Sequence, residues 1–227
     1  MTNAYLHHKC YVSQGMYKPG SEYEKLRNEV IRDVPKGSNF GSGFEMSSSE
    51  QDFGFVSVIH QCRGDSYGPK CRSCYATALA ALQRKCPRGK GGIIWYDQCF
   101  LEFNAIDSFR KIDYDNNFCM SNTKNVSGDK QSYSRKWMQL LQDMSTKAFR
   151  KNKSYAAGEE RLGKNKLYGM LQCTGDTTFK SCRECYVYNF IHFQDCIYGK
   201  QGARVLGRSC NFRFELYPFV GNETEPI

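Results

Sequence analysis

Twelve cysteines in 227 residues are the side chains of this sequence with the widest chemical scope. Thiols at such density could ligate a metal, exchange electrons or pair into disulfides, and an even count lets every one of them pair. The metal and redox options rest on two C-x2-C pairs, Cys71/Cys74 and Cys182/Cys185. A zinc ribbon needs its second pair nearby in the chain, whereas these are separated by about 108 residues. The four histidines, His7, His8, His60 and His192, do not recur between the halves that the cysteines define, so no metal site is expected. A thioredoxin-like pair is disfavoured because each C-x2-C lies in a helical stripe with other cysteines available to bond. No Ser/His/Asp set or carboxylate pair clusters. Asp65 and Asp176 do recur, in two Gly-Asp turns, but an aspartate after a strand and before a helix suits a helix cap better than catalysis. Disulfide scaffolding leaves no cysteine over, and it demands an oxidising compartment.

The cysteines fall into two sets of six: Cys10, Cys62, Cys71, Cys74, Cys86, Cys99 and Cys119, Cys173, Cys182, Cys185, Cys196, Cys210. Corresponding members are 109, 111, 111, 111, 110 and 111 residues apart, which identifies two copies of one domain, placed at 1–109 and 110–227. The elements that must position the cysteines are legible around them. FVSVIHQC and KLYGMLQC are apolar, β-prone runs that end on a cysteine. From Cys71, the residues Cys74, Tyr75, Ala78, Leu79, Leu82 and Cys86 recur at helical intervals, as do Cys182, Cys185, Tyr186, Phe190, Phe193 and Cys196. An earlier helix is predicted from Tyr23, Leu26, Val30 and Ile31 in one copy, and from Trp137, Leu140, Leu141, Met144 and Ala148 in the other. GGIIWYDQCFLEF and GARVLGRSCNFRFELYPFV read as closing strand pairs. The expected fold class is α+β: each copy an antiparallel sheet with two helices packed on one face.

The net charge of +9 is uneven, about +2 over residues 1–109 and +7 over 110–227, which favours an anionic partner for the second copy over a neutral one. A basic but solvated surface is the simpler alternative. No stretch approaches the roughly 20 apolar residues of a membrane span. The start, MTNAYLHHKC, lacks the apolar core of a secretory signal, so a trimmed leader is expected. Three sequons, at Asn125, Asn152 and Asn222, are candidates for N-glycosylation.

The C-x8-C-x2-C strings CRGDSYGPKCRSC and CTGDTTFKSCREC, with IIWYDQC, SNTKNVS, YGMLQCTGD and GKQGARVLGRSCNFRFELYPF, resemble the ginkbilobin-homologous cysteine-rich repeat of land plants over nearly the whole chain. Lacking a span and a kinase, the sequence looks like the secretory class of that family. The resemblance implies bridges Cys10–Cys86, Cys62–Cys71, Cys74–Cys99, Cys119–Cys196, Cys173–Cys182 and Cys185–Cys210, which spacing alone does not fix. It implies no enzyme activity and no cofactor, but a secreted, extracellular (apoplastic) protein, lectin-like and defence- or wall-related, whose ligand is a glycan or an extracellular protein and not nucleic acid. In ginkbilobin, mannose is held by an Asn directly after the first cysteine, an Arg before the last strand pair and a Glu five residues past the last cysteine. Arg204 and Glu215 match; Met120 follows Cys119, and the nearest asparagine is Asn122. The first copy has Tyr11, Ile93 and Asn104 at those places, so mannose binding is expected of the second copy alone. An alternative is that Arg204 and Glu215 form only a surface ion pair. Closing the short Cys62–Cys71 loop is worth roughly 2–3 kcal/mol and the long Cys10–Cys86 loop over about 4.

Titration of the folded protein in denaturant should reveal no reactive thiol, with peptide mapping returning only bridged cysteines. Two or more reactive thiols in correctly folded protein would contradict the scaffold.

Overall fold

The computed structural model describes residues 3–36, 40–150 and 154–221, and the chain divides into two compact units, Met1–Phe109 and Arg110–Ile227. In the first unit the elements are β1 (Tyr5–Cys10), α1 (Glu22–Asp33), β2 (Phe44–Gln51), β3 (Gly54–Cys62), α2 (Pro69–Lys85), β4 (Gly92–Tyr96) and β5 (Cys99–Asn104). The second repeats the order with β6 (Phe118–Ser121), α3 (Lys130–Arg150), β7 (Tyr155–Leu162), β8 (Asn165–Cys173), α4 (Phe179–His192), β9 (Ala203–Leu206) and β10 (Cys210–Glu215). Between α4 and β9 it adds a one-turn helix, α5 (Gln194–Ile197). Each sheet has five antiparallel strands, ordered β1-β4-β5-β3-β2 and β6-β9-β10-β8-β7.

Strand alternation decides which residues meet the helices. On β3, β4 and β5 the residues Val56, Val58, Cys62, Ile94, Tyr96, Leu101 and Phe103 join a core with Leu26, Val30, Tyr75, Ala78 and Leu82 from α1 and α2. In the second unit Leu171, Val205, Phe212 and Phe214 meet Trp137, Leu140, Leu141, Met144 and Tyr186. The Trp137 indole lies parallel to the Phe214 ring with centroids 4.4 Å apart. Residues of opposite parity, Glu102 and Asn104 on β5 and Arg213 and Glu215 on β10, project from the other face of their sheets.

All twelve cysteines are bridged, in the pairs Cys10–Cys86, Cys62–Cys71, Cys74–Cys99, Cys119–Cys196, Cys173–Cys182 and Cys185–Cys210. Cys62 and Cys99 are register partners on neighbouring strands, as are Cys173 and Cys210. Cys71 and Cys74, three apart on the first turns of α2, therefore bond to two adjacent points of the sheet, and Cys182 and Cys185 do the same from α4. The third bridge ties an edge strand to the far end of the same helix in the first unit, where Cys86 is the C-cap of α2. Within the described residues no helix is long and apolar enough to cross a membrane.

The aspartates read as caps do something else. Gly68 is the N-cap of α2, at φ 58°, a left-handed conformation that glycine adopts freely, and Pro69 follows at the first helical position. Thr178 caps α4, its hydroxyl accepting the Ser181 amide. Asp65 instead takes a two-pronged ion pair from Arg63 at 2.6 and 2.9 Å, and Arg63 also reaches Asp97 at 3.0 Å. Asp176 pairs with Arg208 at 2.7 Å, both side chains fully buried. A cation took the place of the local amide in both copies, from two residues away at Asp65 and from 32 residues away at Asp176, because a buried carboxylate is stabilised more by a guanidinium than by one N–H.

Trp137→Ala, which removes the ring between α3 and β10, should lower unfolding stability by about 3–5 kcal/mol. Urea unfolding followed by circular dichroism measures it.

Candidate functional site

On the free-standing parity of β9 and β10, Arg204 and Glu215 do share one sheet face. Arg204 lies within β9, opposite Met120 on one side and Arg213 on the other. The cation seated on the Glu215 carboxylate is one the sequence pattern did not single out: Arg213 Nε is 3.0 Å from Oε1. Glu215 is only 6 % exposed, and Oε2 lies so close over Gly202 that a Cβ there would fall 1.7 Å from it. Arg213 also donates through Nη2 to the Tyr217 hydroxyl at 3.0 Å, and its guanidinium sits 4.2 Å from the Phe219 ring centroid. The C-terminal strand exit is thus clamped by the cation that neutralises Glu215. Burial, reinforced by the nearby Glu215 charge, keeps the Tyr133 phenol well above its ordinary range.

Asn122 stands just past β6, where its amide donates to the Gly202 carbonyl at 2.8 Å. Its side-chain oxygen accepts the Lys124 amide at 3.0 Å, closing a turn on itself. The structure brings Arg204 and Glu215 to one surface and spends the Asn122 acceptor on local backbone. Arg213 was findable in principle: it is two residues before Glu215 on a strand, and side chains two apart share a face.

At the matching places of the first unit, a hydrogen-bonded network around Glu102 and Asn104 stands instead. The Tyr11 hydroxyl donates to Glu102 Oε1 at 2.8 Å, and Asn104 Oδ1 accepts from Gln14 Nε2 at 2.8 Å and the Ile106 amide at 3.0 Å. Ile93 is buried, and Glu102 occupies the place of Arg213.

One trio has the elements of a metal site: His60, Cys62 and Cys71 offer ligand atoms within 4.8 Å of one another. Both sulfurs are joined to each other, and a disulfide sulfur is not the thiolate that metals take. His60 is fully buried, 3.6 Å from Cys62 Sγ through Nε2, with Nδ1 lacking a partner among the described residues. Phe40 and Tyr75 rings flank it at 5.7 and 5.2 Å. Burial pushes its pKa down to about 3, so it is a neutral core ring. Leu171 fills the same place in the second unit.

Of the sequons, Asn125 is exposed, in an isolated bridge with Lys200; Asn152 and Asn222 lie outside the described residues.

Because the unfolded chain takes up a proton near pH 6.5 that folded His60 refuses until about 3, this residue's contribution to stability is complete above 6.5 and is lost as pH falls between those values. His60→Leu should therefore flatten the acid side of the stability profile, measured as the urea midpoint at about pH 7 and about pH 4.

Comparison with known proteins places this geometry in a family setting. Residues 9–105 and 118–217 each match the sequence pattern described as salt stress response/antifungal. Putative cysteine-rich repeat secretory protein 17 of Arabidopsis thaliana is 53% identical over 238 residues, covering 100% of this chain and 86% of the relative. Putative cysteine-rich repeat secretory protein 16 of the same plant is 53% identical over 222 residues, 98% of this chain and 84% of the relative. Among solved structures, the tandem DUF26 ectodomain of the Arabidopsis thaliana cysteine-rich receptor-like protein PDLP8 superposes with a TM-score of 0.81 at 21% identity, covering 96% of this chain and 100% of that one. That of PDLP5 gives 0.73 at 19% identity, covering 94% and 100%. At those identities the likeness is one of fold.

Proposed function

Since the chain belongs to the salt stress response/antifungal family, we propose that it is a non-catalytic extracellular binding protein, built of the domains 1–109 and 110–227, whose ligand is another protein and not a mannose-type sugar. It is a secreted protein, as its relatives are. The observation that carries the choice of ligand is the state of Glu215: buried, charge-paired to Arg213 and pressed over Gly202. A sugar hydroxyl pair would have to displace that guanidinium, and stripping one partner from a buried ion pair is costly, on the order of 3–5 kcal/mol. Met120 in the place of the family's asparagine removes a further acceptor. The first unit offers no better site, since its Glu102 and Asn104 oxygens already accept hydrogen bonds from Tyr11, Gln14 and Ile106. A fold shared with ectodomains of receptor-like proteins suits recognition between proteins. Within this reading Asn125, exposed, carries an N-glycan in the secretory pathway.

A sugar reading keeps one supporting fact, that Arg204 and Glu215 lie on one sheet face. Calorimetry with mannose and a binding screen against a panel of plant receptor ectodomains separate the two. The expected outcome is no heat with mannose and saturable binding to at least one ectodomain. Mannose binding by the wild type that is lost in Arg204→Ala would establish the sugar reading instead.

A further inference from the structure

The two units hold their second helices by the same pair of bridges, so residues 111 apart in sequence occupy the same place on α2 and α4. On the outer face of α2 stand Ala76, Thr77 and Ala80; on α4 those places belong to Val187, Tyr188 and Ile191. Val187 is 49 % exposed and Ile191 66 %. Much of their apolar surface stays in water after folding. Val and Ile at exposed helix positions are poorer helix formers than Ala, and apolar surface left in water contributes no burial.

Around these residues the surface is open. Tyr114, from the segment before β6, packs edge-on against Tyr188 with centroids 4.7 Å apart. Tyr114, Lys180, Arg183, Glu184, Val187 and Tyr188 line a depression of about 550 Å³. Its charge is cationic and underused. Lys180 reaches Glu184 only at 3.9 Å, and among the described residues Arg183 has neither a hydrogen bond nor an ion pair. Both cations sit near the N-terminal end of α4, whose first turn holds no acidic residue, where the helix dipole disfavours positive charge. Apolar side chains and cations are thus both placed where the isolated fold would select against them.

We propose that the outer face of α4, with Tyr114, is a docking surface for a protein partner that presents an apolar side chain to Val187, Tyr188 and Ile191 and a carboxylate to Arg183 and Lys180. The inference rests on the protein-ligand reading above and adds to it the place and the chemistry. Charge complementarity selects an acidic partner, and the exposed aliphatic pair at one-turn spacing favours a protein, which can bury Val187 and Ile191 under an apolar side chain as a polysaccharide cannot.

The test uses the full chain, isotopically labelled for amide spectra, with three probes: the blocked tetrapeptide Glu-Leu-Phe-Asp, its counterpart Lys-Leu-Phe-Lys, and an oligogalacturonide. The acidic peptide should shift amides of α4 and Tyr114, and the basic one should not. The double variant Val187→Ala/Ile191→Ala, which installs the alanines that α2 already carries, should fold normally and bind the acidic peptide at least about tenfold more weakly. Arg183→Glu should do the same. Shifts from the oligogalacturonide alone, equal shifts from both peptides, or none at all would overturn the proposal. If an ectodomain binds the wild type and the alanine variant equally, the surface is wrong while the protein-ligand reading stands; if no ectodomain binds but the acidic peptide shifts α4, the surface stands without that reading.

Discussion

Side chains three apart on a helix lie roughly 5–6 Å from one another, and so do neighbours across an antiparallel strand pair. The C-x2-C of α2 meets the Cys62/Cys99 strand pair, and that of α4 meets Cys173/Cys210, through this coincidence of spacing. Two parallel bonds between one helix and one sheet fix position and rotation together, which a single bond would not. The helix can then present Tyr75 and Ala78, or Tyr186, to the core at a set depth. A unit of this size has limited apolar surface to bury, and the bridges reduce the freedom of its unfolded chain instead.

Holding the second helix covalently separates the work of its two faces. The inner face must fit the core, whereas the outer one is not needed to hold the helix in place. That is why α2 carries small residues there and α4 carries Val187, Tyr188 and Ile191, while both keep the same anchoring. The opposite sheet faces have diverged as far: a hydrogen-bonded Tyr11, Gln14, Glu102 and Asn104 in one unit, an Arg213–Glu215 pair in the other.

The repeat, the order of elements and the buried stripes of the first helix in each unit were legible because each depends on spacing along the chain, whereas the stripe expected from Cys182 to Cys196 is broken, α4 ending at His192 and Cys196 lying on α5. Tyr23, Leu26, Val30 and Ile31 are all buried on α1, as are Trp137, Leu140, Leu141, Met144 and Ala148 on α3. What the sequence hid depends on pairing between strands. Asp65 and Asp176 look like caps from their neighbours, and only the fold brings Arg208 to Asp176 and Asp97 to the Arg63 that holds Asp65. Glu215 likewise matches a family position, yet its meaning changed once Arg213 was seen beside it. The outer face of α4 escaped for another reason. That helix is apolar on several sides, Phe190 half-buried and Ile191 exposed, so periodicity alone could not say which side faced water.

The ion pairs at the two Gly-Asp turns use the same aspartate and opposite arrangements of its neighbours. Cys62 is followed by Arg63 and the later turn supplies Asp97; Cys173 is followed by Thr174 and the later turn supplies Arg208. Transplanting the β4–β5 hairpin with its turn into the second unit would set Asp97 beside Asp176 with no arginine between them, two carboxylates in a buried site. The two halves have thus ceased to be interchangeable parts: a closing hairpin fits only the turn it folded with, because the charge that completes each buried pair lies on the other side of the exchange.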